Sequence, residues 1–218
     1  MQELERLMLV SSNRVEMAIR ANTVITSLNV RSLPKHIHDL QNDFKLMTAK
    51  IICLQETWCS SDISNDALQI TGFNLHLVNR GRGKGIATYF KSIFHLVHEV
   101  NDEKFQLALF SSDCYHVINV YRSQGADTRS FIQHLSFLIK DLDNCFVVGD
   151  FNVDSLTVSH SITNFLLSQG YKQLVKFATH EHGSLLDHAF IRSRSQYDKV
   201  LHWPYYSDHA AVCIAALV

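Results

Sequence analysis

The chain has only 2 prolines and 8 glycines in 218 residues, so little of it can serve as long flexible linker. It has no apolar run of the length a bilayer-spanning helix needs. Its first residues, Met1-Gln2-Glu3-Leu4-Glu5-Arg6, lack the basic-then-apolar layout of a secretory signal. It has no excess of charge either. A formal net charge of -1 argues against a dedicated, sequence-independent nucleic-acid binder, whose affinity comes from neutralising phosphates. A local basic patch around an acidic metal centre is still compatible with that balance. The 5 cysteines (Cys53, Cys59, Cys114, Cys145, Cys213) include no C-x-x-C pair, and several sit in apolar runs such as Cys145-Phe146-Val147-Val148. Free thiols in such places act as small core residues, which points to a reducing, intracellular setting, the cytosol or nucleus.

What is present describes a globular domain. Hydrophobic residues make up 46% and charged residues 19%, enough to build a core without disulfide staples. Two segments are expected, a helical leader over 1–22 and one compact domain over 23–218. In the leader Leu4, Leu7 and Met8, then Val15, Ala18 and Ile19, recur at helical spacing. Beyond it come short apolar runs of strand length: Val24–Leu28, Ile51–Leu54, Phe73–Val78, Gly85–Phe90, Phe105–Phe110, Tyr115–Val120, Phe146–Gly149, His188–Ile191, Lys199–Trp203 and Ala210–Ala216. Helices are expected at His36–Met47, Thr128–Leu142 and Ser161–Ser168, with Asp127-Thr128 capping the second. Runs apolar almost throughout imply strands covered on both faces. The element order gives α+β or a four-layer α/β sandwich and excludes an alternating dinucleotide-binding series.

The chemistry lies where these runs end. Val24–Leu28 ends in Asn29, Ile51–Leu54 in Gln55-Glu56-Thr57-Trp58, and Val117–Val120 in Tyr121-Arg122. Phe146–Val148 ends in Gly149-Asp150-Phe151-Asn152, while Ser207-Asp208-His209 precedes the last apolar run. Strand ends on one edge of a sandwich converge, so these groups can share a cleft. Carboxylates and amides without cysteine form the hard-oxygen donor set that Mg²⁺ or Mn²⁺ prefers. One Glu or one Gly-Asp alone would more often be an ordinary loop residue. Their recurrence at successive strand ends is the signal.

The series Leu28-Asn29-Val30-Arg31-Ser32-Leu33, Leu54-Gln55-Glu56-Thr57-Trp58, Asn119-Val120-Tyr121-Arg122, Gly149-Asp150-Phe151-Asn152, Leu186-Asp187-His188 and Ser207-Asp208-His209 resembles the exonuclease–endonuclease–phosphatase superfamily. Within it the chain is similar to the apurinic-type endonuclease domains of mobile elements, such as non-LTR retrotransposons and Helitron-like transposons. The resemblance implies a DNase-I-like four-layer α/β sandwich and Mg²⁺- or Mn²⁺-dependent nicking of DNA that leaves a 3′-hydroxyl. It implies Glu56 as the main metal carboxylate, with Asn29 nearby and Asp208 completing the metal side. Asp150, helped by Asn152, would handle the attacking water. His209 would donate to the scissile phosphate with Asp187 fixing its tautomer, and Tyr121 and Arg122 would hold phosphate oxygens. It further implies DNA as partner, no membrane, a monomer, a nuclear site of action and possible further domains of a longer polyprotein. Arg31 stands where repair members of the superfamily often carry an acid, which favours mobile-element nicking over repair. The same centre would also serve a phosphatase or phosphodiesterase acting on RNA or small phosphoesters, or a non-catalytic DNA-binding module.

Three features carry less. Arg80-Gly81-Arg82-Gly83-Lys84-Gly85 fits neither phosphate-loop spacing and reads as a hairpin turn, with Arg82 and Lys84 able to reach a DNA backbone. His180-Glu181-His182, with His188, reads as a polar loop rather than a zinc site, and His36 and His38 as surface residues. Trp58 reads as core packing, or as a ring at the cleft rim able to stack on an unpaired base.

Overall fold

The computed structural model describes residues 24–78, 81–156 and 159–216, and the helical leader expected over 1–22 lies outside them. The elements run β1 (Val24–Asn29), α1 (Leu33–Asn42), α2 (Phe44–Met47), β2 (Ile51–Gln55), a 3₁₀ turn (Asn65–Leu68), β3 (Asn74–Val78), β4 (Ile86–Phe90), β5 (His95–Asn101), β6 (Phe105–Ser111) and β7 (His116–Arg122). Then follow α3 (Thr128–Ile139), β8 (Cys145–Asp150), α4 (Ser161–Ser168), β9 (Lys172–Gln173), β10 (Asp187–Arg192), β11 (Tyr197–His202) and β12 (Ala211–Ala216). Among the described residues no helix is long and apolar enough to cross a membrane.

The strands form two six-stranded mixed sheets, ordered β11-β12-β1-β2-β4-β3 and β5-β6-β7-β8-β10-β9. Each centres on a parallel pair, β1–β2 or β7–β8, flanked by an antiparallel strand, β12 or β10. Alternation along the strands builds the layers. In β2, Ile51 and Cys53 face the core between the sheets, whereas Ile52 and Leu54 face α1 and α2. In β8, Phe146 and Val148 face inward and Cys145 and Val147 meet α3 and α4. The result is helix, sheet, sheet, helix: the DNase-I-like α/β sandwich.

The expected strands are present to within one or two residues at their ends, and two further strands occur. β5 is solvent-exposed along most of its length and is a strand by pairing with β6, while β9 is a two-residue pairing on β10. The single helix expected over His36–Met47 begins earlier, at Leu33, and breaks at Asp43, whose carboxylate accepts from Lys45 N and Leu46 N to start α2 afresh. Asp127 caps α3 as expected, its Oδ2 accepting from Ser130 N at 2.7 Å, but the helix stops at Ile139 rather than Leu142. His36 is buried rather than on the surface, stacked 5.6 Å from the ring of Tyr206.

Two features fix the site end of the sandwich. Gly149 takes φ 142, and a Cβ there would stand 1.9 Å from the Val120 carbonyl oxygen, so only glycine fits before Asp150. Between the sheets, the buried Asn119 accepts from Gln55 Nε2 at 2.7 Å and donates to Ala87 O and Thr88 Oγ1 at 3.1 and 3.0 Å. This amide bridge ties β7 of one sheet to β2 and β4 of the other.

Candidate active site

The C-terminal ends of β1, β2, β7 and β8 meet the N-terminal ends of β10 and β12 at one edge of the sandwich. Asn29 closes β1, Asp150 closes β8, Asp187 opens β10, and Asp208-His209 lead into β12. Asp187 lies opposite Asp150 in antiparallel register, and Tyr121 beside Asp150 in the parallel pair.

Asp150 is almost fully buried, and three donors hold its carboxylate. Oδ1 accepts from Asn152 N at 2.8 Å; Oδ2 accepts from Asn29 Nδ2 at 2.9 Å and Asn152 Nδ2 at 3.2 Å. Asn152 has φ 49, a left-handed turn that folds its backbone N–H and its amide back onto the same carboxylate. Asparagine tolerates that conformation better than most residues. Burial first, then the neighbouring charge of Asp187, push the Asp150 carboxyl above its ordinary range, while His209 pulls the other way.

Asp187 Oδ2 pairs with His209 Nδ1 at 2.8 Å. Burial alone would lower the imidazole pKa. The Asp187 charge and hydrogen bond outweigh it, helped by Asp150 and Asp208, and raise it. The result is a cation-biased imidazole whose Nδ1 is committed, leaving Nε2 as the outward donor. Asp187 is itself braced, because Leu186 N and Asp187 N both donate to Thr179 Oγ1.

Glu56 follows β2 at φ 48, with Oε2 accepting from Trp58 Nε1 at 3.2 Å. The basic turn between β3 and β4 is stitched against this segment: Thr57 N and Trp58 N donate to Gly85 O and Lys84 O, and the Tyr121 hydroxyl to Gly83 O at 3.0 Å. Burial, then Glu56 and Asp150, push the Tyr121 phenol up, so it stays a neutral donor. Arg82 is exposed and Lys84 half-buried on this turn. Trp58 is half-buried with a committed N–H, not a core ring.

Three expected residues show a different geometry. Asn29 serves Asp150 through its amide nitrogen, and its oxygen accepts from Arg31 N at 3.2 Å. Asp208 Oδ2 is ion-paired with the Arg31 guanidinium, so a cation of the chain already faces it. Arg122, expected to hold a phosphate, is buried and turned inward, donating to Ala126 O at 2.7 Å, Thr128 Oγ1 at 3.1 Å and Phe151 O at 3.3 Å. Loop carbonyls that would otherwise lack donors claim it.

Two acid–histidine groups of the site could hold a divalent cation in place of the proton that biases His209. The ligand atoms of Asp150, Asp187 and His209, and of His180, Asp208 and His209, lie within 4.8 Å of one another in each group. Asp187 Oδ1 and Asp208 Oδ1 are buried without a hydrogen-bond partner, and crowded carboxylates gain most from a hard ion. His180, read from the sequence as part of a polar loop, enters the site: its ring packs edge-on against His209 at 4.7 Å and its Nε2 lies 3.6 Å from Asp208 Oδ2. The bridge between His180 and His209 spans distant segments, so no local pattern announces it.

Comparison with solved structures places the fold. A 3′-5′ exonuclease from Neisseria meningitidis superposes with TM-score 0.68 at 19% identity, covering 89% of this chain and 99% of that one. An AP endonuclease from Archaeoglobus fulgidus gives TM-score 0.70 at 16% identity, over 90% of this chain and 100% of the other. Truncated TDP2 of Caenorhabditis elegans gives 0.65 at 16% identity, over 90% and 98%. Curated protein sequences give no significant match. The model of the Endonuclease/Exonuclease/phosphatase family matches residues 26–209, from the first described strand to His209. The chain therefore belongs to the endonuclease/exonuclease/phosphatase family.

Proposed function

We propose that this protein is a divalent-metal-dependent endonuclease that hydrolyses DNA phosphodiester bonds and leaves 3′-hydroxyl ends. The observation that carries the reading is the Asp150 carboxylate, held by three donors beside the Asp187–His209 pair. DNA as substrate draws support from two of the fold's neighbours, the AP endonuclease and the Neisseria enzyme, which is described both as a 3′-5′ exonuclease and as a 3′ phosphatase bound to a product DNA hairpin. The mobile-element setting, within a longer polyprotein acting as a monomer on nuclear DNA, draws support from motif resemblance and from Arg31 at a position often acidic in repair members.

Glu56 leads the residues that would hold Mg²⁺ or Mn²⁺, with the unpartnered Oδ1 of Asp208 alongside, while Asn29 braces Asp150. Bound there, the ion would polarise a phosphoryl oxygen and offset charge on the leaving oxygen. The chain's own residues do the rest. Asp150 orients the attacking water and accepts its proton, with Asn29 and Asn152 holding the carboxylate in line; the new P–O bond forms as P–O3′ breaks, and the leaving oxygen takes a proton from solvent to become the 3′-hydroxyl. His209 donates from Nε2 to a phosphate oxygen as negative charge builds, and Asp187 keeps that nitrogen aimed. Arg82 and Lys84 contribute positive charge from the basic-turn side of the cleft, and the Tyr121 hydroxyl pins that turn through Gly83 O.

The test is nicking of supercoiled plasmid with Mg²⁺, alongside abasic duplex, RNA and a small phosphodiester. EDTA should stop the reaction, and Asp150→Ala should lower its rate about a hundredfold or more, as removal of a principal transition-state group does. Unchanged nicking by Asp150→Ala would sink the assignment. DNA retention without cleavage would indicate a binding module instead.

A further inference from the structure

On the α1 side of Asp208 lies a cavity of about 570 Å³ that shares only Asp208 with the chemistry above, its walls including Arg31, Lys35, Trp58, Glu181, Tyr205 and Tyr206. Its aromatic faces are held in place. Tyr206 forms the inner wall, stacked on His36 and hydrogen-bonded through its hydroxyl to Asp43 at 3.2 Å. Tyr205 stands edge-on to Tyr206 at 5.3 Å and is 86% exposed, yet its hydroxyl is anchored to Asp39. Trp58 is tied to Glu56, and the Arg31 guanidinium lies 6.0 Å from its ring while bonded to Asp208.

The exposed Tyr205 ring and the half-buried Trp58 ring are fixed by hydrogen bonds, with Arg31 and Lys35 beside them and the carboxylates of Asp208 and Glu181 in the same wall, an amphoteric aromatic lining that matches one kind of occupant. A nucleobase offers a flat face to the rings and its phosphate offers charge to Arg31 and Lys35. The volume falls in the range of small-ligand sites, about 300–1,000 Å³, and suits a nucleotide rather than a duplex. A paired base also keeps its faces inside the helix stack. Asp208 is common to the cavity wall and the site, so an occupant would sit beside the site rather than across the molecule from it.

We propose that this cavity receives an unpaired nucleotide of the cleaved strand, its base against Tyr205 and Trp58 and its phosphate against Arg31 and Lys35. The proposal rests on the endonuclease reading and sharpens its substrate to single-stranded or locally unpaired DNA.

The test compares cleavage of one labelled oligonucleotide as a full duplex and with a short unpaired bubble. Wild type should favour the bubble at least about tenfold, the scale of one base–aromatic stack. Tyr205→Ala should bring that ratio towards one, mainly through KM, while Tyr205→Phe, which keeps the ring, should retain it. Tyr205 is exposed, so equal melting temperatures will show that neither variant has unfolded. A wild type without preference, or a Tyr205→Ala variant that keeps it, overturns the proposal. If wild type cuts no DNA at all, the endonuclease reading fails on its own. The cavity is then judged by oligothymidylate binding to Asp150→Asn, read by tryptophan fluorescence, which should weaken about tenfold when Tyr205→Ala is added. Equal binding by both would overturn it.

Discussion

Replacing Gly149 by alanine should damage stability and activity together, and the structure sets the scale. The added Cβ would meet the Val120 carbonyl oxygen at 1.9 Å, where carbon and carbonyl oxygen normally approach to about 3.3–3.6 Å. The obstacle is backbone of the directly paired strand, so no side chain can swing aside. Forcing an L-residue into φ 142 costs about 1–3 kcal/mol, and overpacking adds about 1–3 kcal/mol. The total, about 2–6 kcal/mol, is a large part of the 5–15 kcal/mol that typically holds a domain together. For a chain of this size that corresponds to a melting temperature lower by roughly 5–20 °C. β7 and β8 must also part at Asp150, and a misplacement of about 1 Å in a catalytic group can cost about a hundredfold in rate. Circular-dichroism melts and plasmid nicking measure both effects. Gly83→Ala is the control, since Gly83 has φ 72 but nothing within 4 Å of the added methyl. It should lose only about 1 kcal/mol. A Gly149→Ala protein that melts within about 2 °C of wild type and nicks normally would refute the reasoning.

Arg122→Met should lower stability by about 2–4 kcal/mol, because the carbonyls of Ala126 and Phe151 lose buried donors, as urea unfolding will show. Its nicking rate at a temperature where both proteins are folded should fall far less than that of Asp150→Ala, and an equal fall would restore Arg122 to the phosphate site. His188 should make the fold acid-sensitive. Its Nε2 donates to Val153 O at 2.8 Å and its Nδ1 accepts from Gln173 Nε2 at 2.9 Å, so the native ring is neutral and burial lowers its pKa. The unfolded chain therefore binds the extra proton, and stability present above the unfolded pKa of about 6.5 is lost as pH falls below it. Melts from pH 7.5 to 5 should show a steeper loss for wild type than for His188→Gln; parallel curves would contradict it.

What can be read in advance follows from whether the deciding contacts are local. β8 is legible because Cys145 and Val147 face one core while Phe146 and Val148 face the other, which leaves an uninterrupted apolar run in the sequence. β5 is not, because its exposed residues carry no such run and only β6 makes it a strand. Asp43 breaks an apparently continuous helix because its carboxylate caps a new turn, a local signal easily overridden when apolar spacing continues through it. Asn29, Glu56, Asp150 and Asp187 stand out because strands deliver them to one edge. Arg122 does not reveal its direction, since that is decided by carbonyls at 126 and 151. His180 is hidden for a similar reason, as its partner His209 lies on a distant segment.

The amide bridge between Asn119, Gln55 and Thr88 has a consequence for biosynthesis. Asn29 closes a strand of one sheet, with Glu56, Asp208 and His209 in the segments next to its strands, while Asp150, Asp187 and Tyr121 belong to the other sheet. The bridge acts as a registration peg that keeps the two half-centres from sliding past each other. β12, made last among the described strands, inserts beside β1, the first, and carries His209 at its threshold. Until the segment leading into β12 has been made and docked beside β1, a growing chain lacks Asp208 and His209, so the candidate site stays incomplete even after both parallel pairs have formed.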